Sequence, residues 1–174
     1  RPTRISLDEG RAELETLSLS LFGGELVVSG RLESDRIQGS LSVKRVAVPP
    51  IANLAGLDIS DGQLNAEASV SGTLSSPSGA FDLVLDDLQG VAGEGGDVPP
   101  LSVEIGARLD AGALAGKARL AGLGAEPLVV TLNSRIPEPG GVLPVDARAL
   151  WRGDLGALTA TLPLEGYVIA GNAG

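Results

Sequence analysis

The chain has 174 residues, a formal net charge of −9, and neither histidine nor cysteine. Those absences exclude disulfides, thiolate metal sites and catalysis of the Ser-His-Asp or Cys-His type. The acidic balance argues against nucleic acid as a partner, because lysine and arginine must neutralise its phosphates. Hydrophobic residues make up 43% of the chain but aromatic residues only 2%, so any apolar surface is built from aliphatic side chains.

The N-terminal part of the chain reads as short strands joined by tight turns. Apolar and polar residues alternate in several stretches between Ile5 and Val43, which is the pattern of strands with one apolar face. Gly23 and Gly24 separate two of these stretches and predict a two-residue hairpin turn, since glycine tolerates positive φ. A further turn is expected at residues 34–36.

The alternation stops at Val48, which two prolines follow. Proline is tolerated in the first turn of a helix. Ile51, Leu54 and Ala55 then fall at helical spacing, and Gly56 is a stop signal. We expect a helix of one or two turns whose apolar side, formed by those three residues, covers one end of the sheet.

Residues 62–85 carry the clearest pattern of the chain. From Leu64 to Leu74 every second residue is apolar or glycine, and the residues between them are polar. This alternation predicts a strand with one wet and one apolar face. Residues 75–79 are expected to form a turn, after which a second strand places Phe81, Leu83 and Leu85 on one face.

Residues 89–100 are the loosest part of the chain and contain Gly90, Gly93, Gly95 and Gly96. We predict a flexible loop there. The strand pattern resumes unchanged from Leu101, so residues 1–174 are expected to form a single β-rich segment. Further strands are predicted around residues 101–109, 114–120, 128–132 and 145–151.

The end of the chain echoes its middle. Leu155 and Leu158 repeat the spacing of Ile51 and Leu54, and an acidic residue before glycine recurs at Gly166. Residues 153–174 are therefore predicted to start a second repeat. Because the chain begins without methionine inside a strand pattern, we expect it to be excised from a longer repetitive protein.

About ten strands linked by short turns predict an all-β fold. The expected architecture is a long antiparallel, curved, U-shaped sheet with an apolar concave face and one or two short helices. A closed β-sandwich, in which the leucines form an ordinary core, and a β-helix-like repeat are the alternatives.

Three patterns resemble catalytic or binding motifs, but each has a simpler explanation. The glycines before Lys117 have one spacer residue too few for a phosphate-binding loop. Acidic groups such as Asp58 and Asp61 do not have the spacing of a calcium loop. Ser42 and Lys44 share a strand face, as a nucleophile pair would, but serine occurs on every outward face. We expect no catalytic residue, no metal site and no cofactor, and hence no enzyme.

The apolar face is the remaining candidate site. A large open apolar surface is an aggregation hazard unless acyl chains or an apolar client β-strand occupy it. Small residues such as Ala118 and Ala147 on that face favour a groove over a packed core. The predicted lining residues are Leu26, Val28, Leu41, Val43, Leu64, Ala66, Ala68, Val70, Leu74, Phe81, Leu83, Leu85, Val103 and Ile105.

Three motifs carry a family resemblance: IANLAGL at residues 51–57, GQLNA at 62–66 and VSGTLSSP at 70–77. A short helix that leads into an alternating strand, a Gly-Thr pair and a proline-containing turn recurs along the TamB branch of the AsmA-like proteins of two-membrane bacteria. The chain resembles a fragment of the β-rich periplasmic region of that family.

The resemblance implies a taco-like sheet lined with apolar residues, in a protein anchored in the inner membrane and crossing the periplasm. It further implies transport of phospholipid towards the outer membrane. Assistance to outer-membrane protein assembly, notably of autotransporters, with a barrel partner of TamA type, is also implied. The alternative is a structural repeat module of an adhesin or filament with a closed core and no ligand.

Overall fold

The structure is a computed structural model that describes residues 4–8, 10–54, 56, 58–90, 100–122, 126–135 and 145–150. Within these ranges the chain forms ten strands and one helix. They are β1 (Ile5–Asp8), β2 (Arg11–Leu21), β3 (Gly24–Glu33), β4 (Arg36–Ala47), α1 (Val48–Leu54), β5 (Ile59–Thr73), β6 (Ser76–Gly90), β7 (Leu101–Asp110), β8 (Ala113–Ala121), β9 (Leu128–Arg135) and β10 (Val145–Leu150).

The ten strands form one sheet in which the spatial order is the chain order, β1 to β10. Each strand runs antiparallel to its neighbours. Within the described residues β1 pairs only with β2 and β10 only with β9, so the sheet is open. The prediction of a long open antiparallel sheet with a short helix is confirmed, and the closed sandwich and the β-helix are wrong.

The first hairpin turn lies one residue earlier than predicted. Phe22 and Gly23 form the turn, with φ angles of 47° and 79°, and Gly24 already begins β3. Two successive positive φ angles match the right-handed twist of the flanking strands, as tight hairpins require. The β7–β8 turn repeats this geometry at Ala111 and Gly112, with φ angles of 44° and 80°.

The turn predicted at residues 75–79 is wrong. β5 ends at Thr73 and β6 begins at Ser76, so Leu74 and Ser75 alone make the turn. The Ser76 amide donates to Thr73 Oγ1 over 3.1 Å and closes it. Pro77 has no amide hydrogen to donate. It fits within β6 because β6 pairs with β7 only from Gly79 onward, so no hydrogen bond to β7 is lost.

Bulges concentrate at the end of the sheet near α1. The register shifts between Val43 and Val46 in β4 and between Leu85 and Leu88 in β6. Arg45 and Asp87 are the bulge residues, with positive φ angles of 52° and 54°. Bulges bend their strands and increase the local twist, which curves this end of the sheet.

Helix α1 packs on this end through a different stripe from the predicted one. Ala52 is its buried residue, whereas Ile51 is 36% and Leu54 84% exposed, so the prediction for those two is wrong. Ala55 lies outside the described residues. Val48 and Ala52 are four residues apart and share one side of the helix. Val48 lies against Gly62, and this contact sets the orientation of α1 on the sheet.

Gly56 ends the helix as predicted, with φ 72° and its amide donating to the Asn53 carbonyl over 3.1 Å. No helix in the described ranges is long and apolar enough to cross a membrane.

The predicted loop at residues 89–100 and the predicted second repeat at residues 153–174 lie partly or wholly outside the described residues. Gln89 and Gly90, expected in a flexible loop, belong to β6. Residues 91–99 lie outside the described part, and so do Trp151 and all of residues 153–174. The second repeat therefore stays a prediction.

Candidate functional site: the apolar face of the sheet

The strand register brings the alternating apolar residues onto one side of the sheet, called the apolar face below. They align in rows that cross the strands at right angles. One row consists of Leu19, Leu26, Val43, Ala66, Leu83, Ile105, Ala118, Val130 and Ala149. The next consists of Leu17, Val28, Leu41, Ala68, Phe81, Ala107, Gly116, Leu132 and Ala147.

Both rows run from β2 to β10 without a polar side chain. Eight inter-strand steps of about 4.8 Å give each row a length of about 38 Å. Ten of the eighteen positions are leucine, valine or isoleucine, seven are alanine or glycine, and one is Phe81. The result is a continuous hydrocarbon surface along the long direction of the sheet.

The opposite face carries the charges. Arg31 and Glu33 form an ion pair at 2.8 Å, and Arg119 of β8 reaches Glu104 of the neighbouring strand β7 at 3.3 Å. The hydrogen bond to the Glu13 carboxylate raises the pKa of the Arg11 guanidinium above its ordinary value. Such exposed pairs contribute at most about 1 kcal/mol each, so their main effect is to keep this face solvated.

The described residues contain no second layer over the apolar face. Among the described residues, only three apolar side chains are buried: Val46, Ala52 and Ala66. Ile105 remains 37% exposed although it lies in the interior of the sheet, between β6 and β8. An inward-facing isoleucine of a sandwich is covered by the second sheet, and the part of the chain that the structure describes supplies no such cover.

All the predicted lining residues except Leu74 lie on the apolar face. Leu74 belongs to the β5–β6 turn, 59% exposed, because β5 ends one residue before it. Whether these side chains contact a ligand stays a prediction.

The apolar face includes residues beyond the predicted lining set. Leu14, Leu32 and Ile37 extend it towards β2, and Val130 and Leu132 extend it towards β10. For the last four of these residues the alternation with polar residues is visible in the sequence. Leu14 and Val46 are different, because register shifts between Leu14 and Leu17 and at Arg45 put each out of phase with the rest of its strand.

The motif-like patterns do not converge into a reactive centre. Ser42 Oγ is buried without a hydrogen-bond partner, so it makes no contact with Lys44 of the kind a nucleophile pair needs. Lys117 lies within β8 on the polar face rather than at the start of a helix. In the described ranges, no three acidic side chains gather in a way that would hold a metal ion.

Comparisons of the chain with protein-family models, with curated proteins and with solved structures found no match. The resemblance to TamB and its relatives thus rests on the sequence motifs. The apolar face is the structural feature of this chain that bears on its function.

Proposed function

We propose that the apolar face holds the acyl chains of phospholipids, and that the chain is a periplasmic segment of a protein of the TamB/AsmA-like kind. In this proposal the full-length protein passes phospholipid between the inner and outer membranes. The observation that carries it is the pair of uncovered aliphatic rows from β2 to β10.

The size of the surface supports a ligand. Adjacent rows lie two residues, about 6.6 Å, apart, so the two continuous rows about 38 Å long cover roughly 500 Å². A shorter row beside them, through Val46, Leu64, Leu85 and Val103, enlarges the apolar face further. Exposed apolar patches on soluble monomers are typically about 300–600 Å². A surface at or above the upper end of that range calls for a partner that is itself apolar.

An open aliphatic face suits transfer better than a deep pocket. Transferring one methylene group from water to an apolar surface gains about 0.8 kcal/mol. A lipid that arrives from a bilayer, however, is already out of water. The exchange between membrane and protein is then nearly neutral, and a lipid that enters the face can also leave it. The absence of aromatic anchors from most of the face fits this weak, mobile binding.

A hydrocarbon chain suits the face better than a peptide does. The backbone amides and carbonyls of the sheet are engaged in strand pairing on both sides of each inner strand. A peptide lying on the face would bury its own backbone groups without partners, which is costly. Assistance to outer-membrane protein assembly with a TamA-type partner remains part of the proposal on the family resemblance alone.

The structural-module alternative requires a closed core. The sheet is open, and just three buried apolar side chains among the described residues do not form such a core. This observation favours the lipid-holding function.

Mass spectrometry of lipid extracted from the purified chain, produced in a two-membrane bacterium, tests the proposal. The double variant Val70→Asp, Leu83→Asp places two charges on the apolar face. Its matched control is Ser69→Asp, Val84→Asp. These two residues are the sequence neighbours of Val70 and Leu83 in the same strands, and they lie on the opposite face.

We expect phospholipid on the wild type and on the control, and about tenfold less on the apolar-face variant, since the loss of about 1.4 kcal/mol of contact corresponds to that factor. Phospholipid missing from the wild type, or equal loss in both double variants, would contradict the proposal.

A further inference from the structure

The apolar face is not uniform, because two glycines lie side by side in it. Gly30 of β3 pairs with Gly39 of β4, and their row continues to Leu14 on one side and Val70 on the other. Both glycines occupy positions where the alternation directs a side chain onto the apolar face. The missing side chain at Gly30 leaves a depression in the aliphatic surface, and Val70 Cγ1 partly fills the space at Gly39, where it would lie 3.3 Å from a Cβ.

The depression has a volume of about 390 Å³. Its apolar walls are Ile5, Ala12, Leu14, Leu32, Ile37 and Val70. Glu13, Arg31 and Gln38 also border it, but the alternation turns their side chains to the opposite face. We call this depression the glycine hollow.

We propose that the glycine hollow is a seat for one alkyl chain, the position on the apolar face where hydrocarbon binds first and most tightly. This inference rests on the proposed function and adds a location and a determinant to it. A chain lying in this shallow depression touches its rim as well as its floor, whereas on the flat rows it touches one surface. Because dispersion contacts add up over all touching atoms, the hollow outcompetes the rest of the face.

The charges around the hollow select a hydrocarbon over a polar group. Arg31, the nearest cation, lies on the other face and is already paired with Glu33. The backbone of β3 and β4 beside the hollow is paired on both sides, so these two strands offer a headgroup or a peptide no free hydrogen-bonding group. The volume lies at the lower end of the usual range for ligand pockets, about 300–1,000 Å³, which suits a stretch of one chain rather than a whole lipid.

The hollow can be filled without disturbing the strand. A Cβ built at Gly30 has its nearest neighbour, the Gln38 carbonyl oxygen, at 3.6 Å, an ordinary contact. Gly116 of β8 offers a matched control on the same face, since a Cβ there has its nearest neighbours at 3.7 Å. Valine at either site should keep or raise the melting temperature, because replacing glycine reduces the freedom of the unfolded chain.

Photo-crosslinking with a palmitic acid that carries a diazirine at its mid-chain, followed by peptide mapping, tests the seat. In the wild type we expect most crosslinks on the peptides of β3 and β4. Gly30→Val should reduce those crosslinks at least fivefold, and Gly116→Val should leave them within twofold of the wild type. If Gly30→Val fails to fold, Gly30→Ala is expected to give a smaller loss in the same place.

Three results would overturn the seat. Crosslinks that spread evenly over the apolar face would refute the seat and leave the lipid-holding function intact. Equal effects of Gly30→Val and Gly116→Val refute it in the same way. A stable dimer that palmitic acid does not displace would mean that a side chain from a second copy fills the hollow. Absence of any crosslink, by contrast, would contradict the proposed function as well.

Discussion

Replacing Ile105 with alanine distinguishes an open apolar face from a covered one. Ile105 lies in the row between Leu83 and Ala118 and keeps 37% of its surface in water. Full burial of an isoleucine contributes about 1.5–3 kcal/mol, so its buried part contributes about 1–2 kcal/mol, some of which alanine retains. No cavity forms, because water fills the space. We therefore expect Ile105→Ala to lower the free energy of unfolding by about 1–1.5 kcal/mol.

The same substitution beneath a second layer has a different outcome. There it would leave a cavity and cost about 2–5 kcal/mol. Urea unfolding followed by circular dichroism measures the difference, with the slope against urea checked for constancy between wild type and variant. A loss above about 3 kcal/mol would refute the open face, since only a covered site produces a cavity of that cost.

Other substitutions test other parts of the structure. Val46→Ala should cost about 2 kcal/mol in the same urea experiment, because Val46 is 1% exposed and the loss of its methyl groups leaves a cavity next to the bulge at Arg45; a loss below that of Ile105→Ala would contradict the burial of this position. Gly62→Ala should cost about 1–3 kcal/mol, since φ is 145° and a Cβ would come within 2.8 Å of Leu88; an unchanged melting temperature would show that this glycine is not required. Glu104→Gln, which breaks the exposed pair with Arg119, should change stability by less than about 1 kcal/mol and leave lipid content unchanged. A fall in lipid content there would mean that the polar face takes part in binding.

The alternation of apolar and polar residues accounts for most of what the sequence predicted correctly. A period of two places Leu64, Ala66 and Ala68 on one face whatever the neighbouring strand is, so the strands and their shared apolar face follow directly. The same logic placed Phe81 and Leu83 beside them, and the register confirms it.

The errors arise where the period breaks. Leu74 continues the alternation of β5, yet the chain turns there, because the Thr73 hydroxyl accepts from the Ser76 amide and closes a two-residue turn. The bulge at Arg45 moves Val46 onto the apolar face out of phase. The pattern of apolar residues along a single strand predicts neither the turn at Leu74 nor the bulge at Arg45.

Features that depend on the pairing of two strands could not be predicted from the sequence. The glycine hollow lies where Gly30 and Gly39 are opposite each other, and this follows only from the register of the β3–β4 hairpin. The orientation of α1 likewise depends on the contact of Val48 with Gly62, because a seven-residue helix presents apolar residues on more than one side.

Neighbouring positions on opposite faces offer the most direct test of the proposed function. The chain has no cysteine, so Ala68→Cys and Ser69→Cys each create a single labelling site, on the apolar and on the polar face respectively. A bimane fluorophore on each is titrated with phosphatidylcholine carrying a nitroxide on its acyl chain. We expect strong, saturable quenching at position 68, relieved by unlabelled phospholipid, and little at position 69. Equal quenching at the two positions, or none at position 68, would contradict the claim that the apolar face holds lipid.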